Sequence, residues 1–196
     1  MSDFFLELFS EEIPPNLQTN ATKKLFFDLN NFFEENNIKV KGSTSSFCTP
    51  NRIIINFSNI SKDVVKKSEE IRGPSVDAKS EALEGFLKSH NIKKIQIRSK
   101  STEKGAFYFY KKPEKKLKTV DLLKENLPNI LDKINWNKSM KWGNNKMFWG
   151  RPLKSILAVF DEKKIEFNFH HLKASNYTFL DKDFEEKTKN FNNFKS

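Results

Sequence analysis

Cysteine is nearly absent: Cys48 is the only one in 196 residues. No disulfide can close within the chain, and a reducing compartment, the cytoplasm, is the expected location. Long apolar runs are missing as well. Nothing approaches the roughly 18 consecutive apolar residues that span a bilayer, so no membrane partner is expected, and Met1-Ser2-Asp3 lacks the basic stretch that opens a secretory signal. The six glycines are scattered. Neither GxGxxG nor GxxxxGKS/T occurs, which removes the common phosphate-binding loops. Histidine is limited to three residues. His170 and His171 are adjacent and in a strand would point to opposite faces, so no structural metal is expected. Arginine is the last scarcity, with four (Arg52, Arg72, Arg98, Arg151) among 35 basic residues. The net charge of +10 therefore rests on lysine, in a chain also rich in Asn and Phe.

What is present is unevenly placed. All three tryptophans (Trp136, Trp142, Trp149) lie in or just before Ser139–Phe160. Six Lys or Arg and no acid occur between Lys133 and Lys154, which sets positive charge beside large flat rings, a combination suited to a polyanion with exposed bases. Packing of Trp142 and Trp149 between two strands is the alternative, since large aromatics are usually buried. A second basic strip, residues 88–118, holds eleven basic residues against Glu103 and Glu114; it is either an electrostatic footprint for nucleic acid or a solvated face. Residues 1–50, by contrast, carry four lysines and seven acids.

In chain order, Phe4–Phe9 reads as a strand and Pro15–Asn36 as an amphipathic helix, with Pro15 in the first turn, where its missing N–H costs nothing. Ile38–Ser46 reads as an edge strand that Phe47–Arg52 breaks, and Ile53–Phe57 as a strong strand. Arg72-Gly73-Pro74 signals a turn. Ser80–His90 reads as a helix turning Ala82, Leu83, Phe86 and Leu87 to the core, with Gly85 hinting at close packing or close approach by a partner. Ile95–Arg98 and Ala106–Tyr110 form a hairpin-like pair. Thr119–Ile134 is helical by period, with Pro128 expected to bend or split it. Ser155–Phe160 is a buried strand, Asp161–Lys164 a hairpin turn, and Ile165–His170 alternates like a half-buried strand. The fold class is α+β (mixed α/β): antiparallel-rich sheets packed with amphipathic helices, in two lobes, 1–62 and 63–180, with 181–196 as a polar tail.

No catalytic constellation stands out. Cys48 sits in an apolar-flanked turn, where an inert thiol is the rule, and Glu11-Glu12 at a helix entrance suits the helix dipole.

Six short pieces, taken in order, are more informative: Ser10-Glu11-Glu12-Ile13-Pro14-Pro15; Phe47-Cys48-Thr49-Pro50-Asn51-Arg52; Arg72-Gly73-Pro74; Glu84-Gly85-Phe86; Lys104-Gly105; and Met140-Lys141-Trp142-Gly143 followed by Arg151-Pro152. Over Phe4–Leu180 the chain resembles the N-terminal region of the β subunit of bacterial heterotetrameric glycyl-tRNA synthetase. Members of that family are several times longer, with an HD domain and an anticodon-binding domain that this chain lacks.

The resemblance implies a non-catalytic chain that supports assembly and holds glycine tRNA. It implies a separate α subunit that activates glycine with ATP and Mg2+, no cofactor on this chain, and the remainder of the β subunit as a further partner. It also implies Arg52, Arg72, Lys141, Trp142 and Arg151 at a tRNA- or subunit-facing surface. The family's N-terminal region is similar to the large subunit of phenylalanyl-tRNA synthetase, whose related module removes wrong amino acids; no residue here supplies that activity. Two departures stand out: Asn51-Arg52 replaces a basic pair, and a Gly-His-Arg run is missing near Tyr177-Thr178-Phe179-Leu180. A self-standing basic RNA-binding module and a hydrolase acting on mischarged tRNA remain as alternatives.

Overall fold

The apolar run at the N-terminus forms the centre of the main sheet. The computed structural model describes residues 2–66, 68–102, 105–142, 147–180 and 188–191. In chain order the elements are β1 (Ser2–Ser10), α1 (Pro15–Glu35), β2 (Thr44–Thr49), β3 (Arg52–Ile60), β4 (Asp63–Lys66), β5 (Glu69–Ser75), α2 (Ser80–His90), β6 (Ile97–Thr102), β7 (Gly105–Lys112), β8 (Lys115–Lys118) and α3 (Thr119–Asp132). After α3 come β9 (Met140–Lys141), β10 (Phe148–Trp149), β11 (Leu153–Phe160), β12 (Lys163–Lys164), β13 (Asn168–Phe169), β14 (Leu172–Lys173), β15 (Tyr177–Phe179) and β16 (Thr188–Asn190). This is a mixed α/β fold of antiparallel sheets and, among the described residues, three α-helices.

The chain divides into two compact units, Met1–Val64 with Leu117–Ser196, and Val65–Lys116. The lobe expected over 63–180, however, is divided, because the chain returns to the first unit at Leu117. The reason is pairing: β11 lies beside β1 in a five-stranded sheet of order β12-β11-β1-β3-β2. Thr119 fixes the re-entry point, its N–H donating to Lys62 O at 2.8 Å and its Oγ1 to Ser61 O at 2.6 Å.

Alternation along β1 sorts its residues to two faces. Phe4, Leu6 and Leu8 join Ile53, Ile55, Phe57, Ile156 and Ala158 in the main core, against Leu25, Leu29 and Phe33 of α1 and Leu123, Leu127 and Leu131 of α3. Each such side chain contributes about 1.5–3 kcal/mol when taken fully out of water. Helix α1 begins at Pro15, as its first-turn position predicts, and Phe4, Phe33 and Phe57 interlock edge to face. The other face carries Phe5, Glu7 and Phe9, opposite Asn56, Ile54 and Arg52 of β3. β15 and the residue after β16 cover it: Phe191 stacks on Phe5 at 4.1 Å and Phe179 on Phe9 at 5.3 Å.

Several expectations shift. The edge strand falls at Thr44–Thr49 rather than Ile38–Ser46, because the turn sits at Pro50-Asn51; Phe47 and Cys48 belong to the strand. Arg72-Gly73-Pro74 is no free turn but the bulge of edge strand β5, where the register slips between Arg72 and Ser75. An outer strand tolerates a residue that cannot donate to a ladder. Helix α3 runs through Pro128 as one element. Ile165, Phe167 and Phe169 alternate with exposed neighbours as expected, yet only Asn168–Phe169 forms a ladder, since His170 turns the chain with φ of 50°. In α2, Ala82 is exposed, and Leu83, Phe86 and Leu87 are half-buried. A Cβ at Gly85 would meet, among the described residues and beyond its own helix backbone, nothing within 4 Å, so packing against them does not account for that glycine.

Asp161 ties the first unit's ends together. At the β11–β12 turn (φ 52°), its carboxylate accepts from Ser2 Oγ at 2.9 Å and pairs with Lys62 Nζ at 2.5 Å. The hydrogen bond from Lys62, helped by that from Ser2, holds the carboxyl below its usual 3.8 although burial works the other way. A folded pKa lowered in this way stabilises fully above the unfolded value, and the contribution is lost as pH falls through the folded one. Urea unfolding of the parent and Asp161→Asn is therefore expected to differ at neutral pH, with the gap closing in acid below the ordinary carboxylate value. A gap constant with pH would contradict the assignment.

Candidate functional site

Three of the six motif pieces meet at one end of the five-stranded sheet. Strand β1 ends at Ser10, β3 starts after Pro50-Asn51, and β11 starts after Arg151-Pro152, so antiparallel pairing brings all three to the same edge. Ser10 N–H donates to Asn51 O at 2.9 Å, Ile13 N–H to Pro50 O at 2.7 Å and Glu11 N–H to Pro152 O at 3.0 Å. Asn51 Nδ2 returns a bond to Ser10 O at 3.2 Å, and Arg151 Nε donates to Glu12 O at 3.1 Å. Lys154 Nζ lies 2.9 Å from Glu11 Oε1. Two of the acceptors are the prolines' own carbonyls, Pro50 O and Pro152 O, and the donors are backbone amides that follow β1. What first looks like charge at strand ends is largely a clasp.

The tryptophan stretch is anchored in the same unit. Trp149 is 2% exposed and Trp136 7%, their rings 5.0 Å apart, and Phe169 meets Trp149 edge-on. Trp142 is half-buried and donates its Nε1–H to Trp149 O at 3.1 Å, consistent with an indole whose polar edge needs a partner. Gly150 makes this packing possible: a Cβ there would sit 2.4 Å from Trp136 Cε3. Lys141 on β9 is exposed opposite Phe148. Gly143 lies outside the described residues, as does Lys104 of the Lys104-Gly105 piece.

Arg52 has the most fully engaged side chain of the five sequence candidates. Its guanidinium donates to Glu7 Oε1 at 2.8 Å, to Thr178 Oγ1 at 2.8 Å and to the Phe179 carbonyl, while lying 4.5 Å from the centre of the Phe9 ring. Thr178 Oγ1 also bonds Glu7. Glu7, 6% exposed, escaped notice as a key residue, although an acid inside Phe4–Phe9 was a signal: a carboxylate in an apolar strand needs a partner. Arg52 and the Tyr177–Leu180 stretch, far apart in sequence, are thus in direct contact.

Arg72 belongs to the second unit. In that unit β5, β7 and β6 form a three-stranded sheet with β7 central. Arg72 lies 3.6 Å above the Phe107 ring. Its neighbour Gly73 faces α2, where an added Cβ would come within 3.0 Å of the Phe86 ring. Two more motif pieces, Arg72-Gly73-Pro74 and Glu84-Gly85-Phe86, therefore meet there. The structure brings Arg52, Trp142 and Arg151 into the first unit with Lys141, and Arg72 into the second.

Among the described residues, no three His, Cys, Asp or Glu gather as a metal site would require, and no helix is long and apolar enough to cross a membrane. In the first unit the arrangement is a clasp of backbone carbonyls and amides, with Lys141 exposed.

Comparison with known proteins gives the family. The family model described as glycyl-tRNA synthetase beta subunit matches residues 4–196. The glycine–tRNA ligase beta subunit of Rickettsia conorii is 38% identical over 179 residues, covering 91% of this chain and 27% of the relative. Those of Rickettsia prowazekii and Rickettsia bellii are 37% and 38% identical over the same length, with the same coverage. The chain thus spans about a quarter of the curated relatives it matches. The six ordered motif pieces, five of which meet in two packed clusters, and a match running nearly from end to end make this chain a member of the glycyl-tRNA synthetase β-subunit family.

Proposed function

We propose that this chain acts as the N-terminal part of a glycine–tRNA ligase β subunit, a non-catalytic binding and assembly segment in the ATP-dependent glycylation of tRNA in the cytoplasm. Family membership over residues 4–196 carries this reading. Its partners on this reading are the α subunit, glycine tRNA and the remainder of the β subunit, with ATP and Mg2+ bound on α. The clasp at the sheet end supports the assembly side: Arg151 and Trp142 are held by backbone carbonyls, which makes them positioning residues, and Arg52 fixes the cover over the sheet. Lys141 and Arg72 are exposed and are the contacts proposed for a partner.

The reading is tested by co-expressing the chain with an α subunit. Co-purification, together with retention of glycine tRNA that weakens steeply with salt as phosphate contacts release counterions, is the expected result. Failure to retain either partner would contradict it. Equal retention of unrelated RNAs without α would favour a self-standing RNA-binding module, and release of amino acid from mischarged tRNA would favour a hydrolase.

A further inference from the structure

The second unit has one sheet face that its helix leaves uncovered. Helix α2 packs on the side bearing Gly73 and Tyr110: Phe86 meets Gly73 and His90 lies 6.4 Å from the Tyr110 ring. Residues of opposite parity point the other way. Register places Arg72, Phe109 and Arg98 in one row across the three strands, and Lys100 opposite Phe107 in the next. Phe107 and Phe109, two apart on central β7, stand about 7 Å from each other on that face. Both rings are half-buried, and Arg72, Arg98, Lys100 and Lys111 are exposed. Cations already sit over the rings, Arg72 at 3.6 Å from Phe107 and Lys100 at 5.4 Å from Phe109. Among the described residues two acids lie on or beside the face: Glu70, opposite Lys111, pairs with Lys100 at 2.7 Å, and Glu114 lines the groove there. A groove at one end of the face is lined by Glu70, Ile95, Arg98, Lys100, Phe109 and Lys111.

We propose that this face is a platform for single-stranded RNA, which on the reading above is an unpaired segment of the bound tRNA. The proposal rests on the tRNA-binding reading and names its site. Three observations carry it. Residues 65–116 hold 14 basic against 7 acidic residues, so a unit of about a quarter of the chain carries +7 of the total +10. That charge complements a phosphate backbone. The half-buried rings stand on the sheet face that α2 leaves uncovered, and a ring meets a base face only if the base is unstacked, which selects a single strand over a duplex. Arginine laid on a ring offers its own planar face for stacking together with a charge for phosphate. A solvated lysine face would supply the charge without the row of rings and arginines.

The test uses the full chain with glycine tRNA, a short oligouridylate, an RNA hairpin stem and polyglutamate as probes. The triple variant Arg72→Gln, Arg98→Gln, Lys100→Gln is compared with Lys79→Gln, Lys88→Gln, Lys93→Gln, which removes the same charge elsewhere in the unit. The face triple is expected to weaken oligouridylate binding by at least about tenfold and to flatten the plot of log affinity against log salt by about 2, near 0.7 for each phosphate that is no longer neutralised. The control triple is expected to stay close to the parent. Phe109→Leu, which keeps an apolar residue but removes the ring, is expected to cost at least about fivefold.

Equal losses in the two triples would overturn the site, as would binding of the stem or polyglutamate at this face as tightly as the oligouridylate. If the face triple retains tRNA like the parent, the tRNA reading stands and this site falls. If the parent retains no tRNA, both fall.

Discussion

Arg52→Met is expected to lower the stability of the first unit by about 3–5 kcal/mol, because it strips the charge partner from a carboxylate that stays buried. Glu7 is 6% exposed and lies between Ile54 and Leu157 in the ladder, so water cannot replace the guanidinium. The loss also reaches the covering segment, since Thr178 and the Phe179 carbonyl share the same fork. Arg52→Lys keeps the charge but cannot present parallel donors to three acceptors; an intermediate loss is expected. Pairing Arg52→Met with Glu7→Leu should recover most of it, because an apolar pair of similar volume is often as stable as a buried ion pair. Urea unfolding followed by tryptophan fluorescence measures all four proteins. If Arg52→Met unfolds like the parent but binds tRNA more weakly, Arg52 is a phosphate contact, and its assignment as a positioning residue is wrong.

Gly150→Ala is expected to cost about 1–3 kcal/mol, the usual range for overfilling a packed core. The added carbon would meet Trp136 at 2.4, 2.7 and 3.0 Å, and that ring cannot retreat, being wedged against Trp149 at 5.0 Å. Gly85→Ala provides the contrast. Among the described residues, nothing beyond its own helix backbone lies within 4 Å of its added carbon, and removing a glycine from a helix interior gains about 0.5–1 kcal/mol. Thermal unfolding should therefore move in opposite directions for the two variants, and tryptophan emission should change only for Gly150→Ala. Equal shifts would contradict the packing described around Trp136.

Elements with a strong period were legible in advance. Strand β1 and helix α1 follow directly from runs such as Phe4–Phe9 and the spacing of Ala21, Leu25 and Leu29. Lys115–Lys118 carries no such pattern, and its strand comes from pairing with β4. Gly73-Pro74 read as a turn because local backbone preference favours one; the ladder to β7 overrides it by taking the pair as a bulge. Alternation in Ile165–Phe169 predicted burial but not hydrogen bonding, since side-chain sidedness and ladder formation are separate properties.

The site was harder to read. Its residue types were visible, but their partners lie far along the chain: Arg52 meets Thr178 across 126 positions and Arg151 meets Glu12 across 139. Charge looked available for a ligand where it is engaged in holding the fold. Of the two readings of the rings around Trp149, packing is the one observed, Trp149 being core, whereas the pairing of arginine with phenylalanine in the second unit emerges only once register aligns β5, β6 and β7.

On the proposed function this chain binds and holds, and glycine is activated elsewhere. Glycine-dependent exchange of pyrophosphate into ATP, run on the isolated chain, on an α subunit alone and on the two together, tests it most directly. No exchange by this chain and exchange in every mixture that contains α are the expected results. Exchange by this chain alone would contradict it.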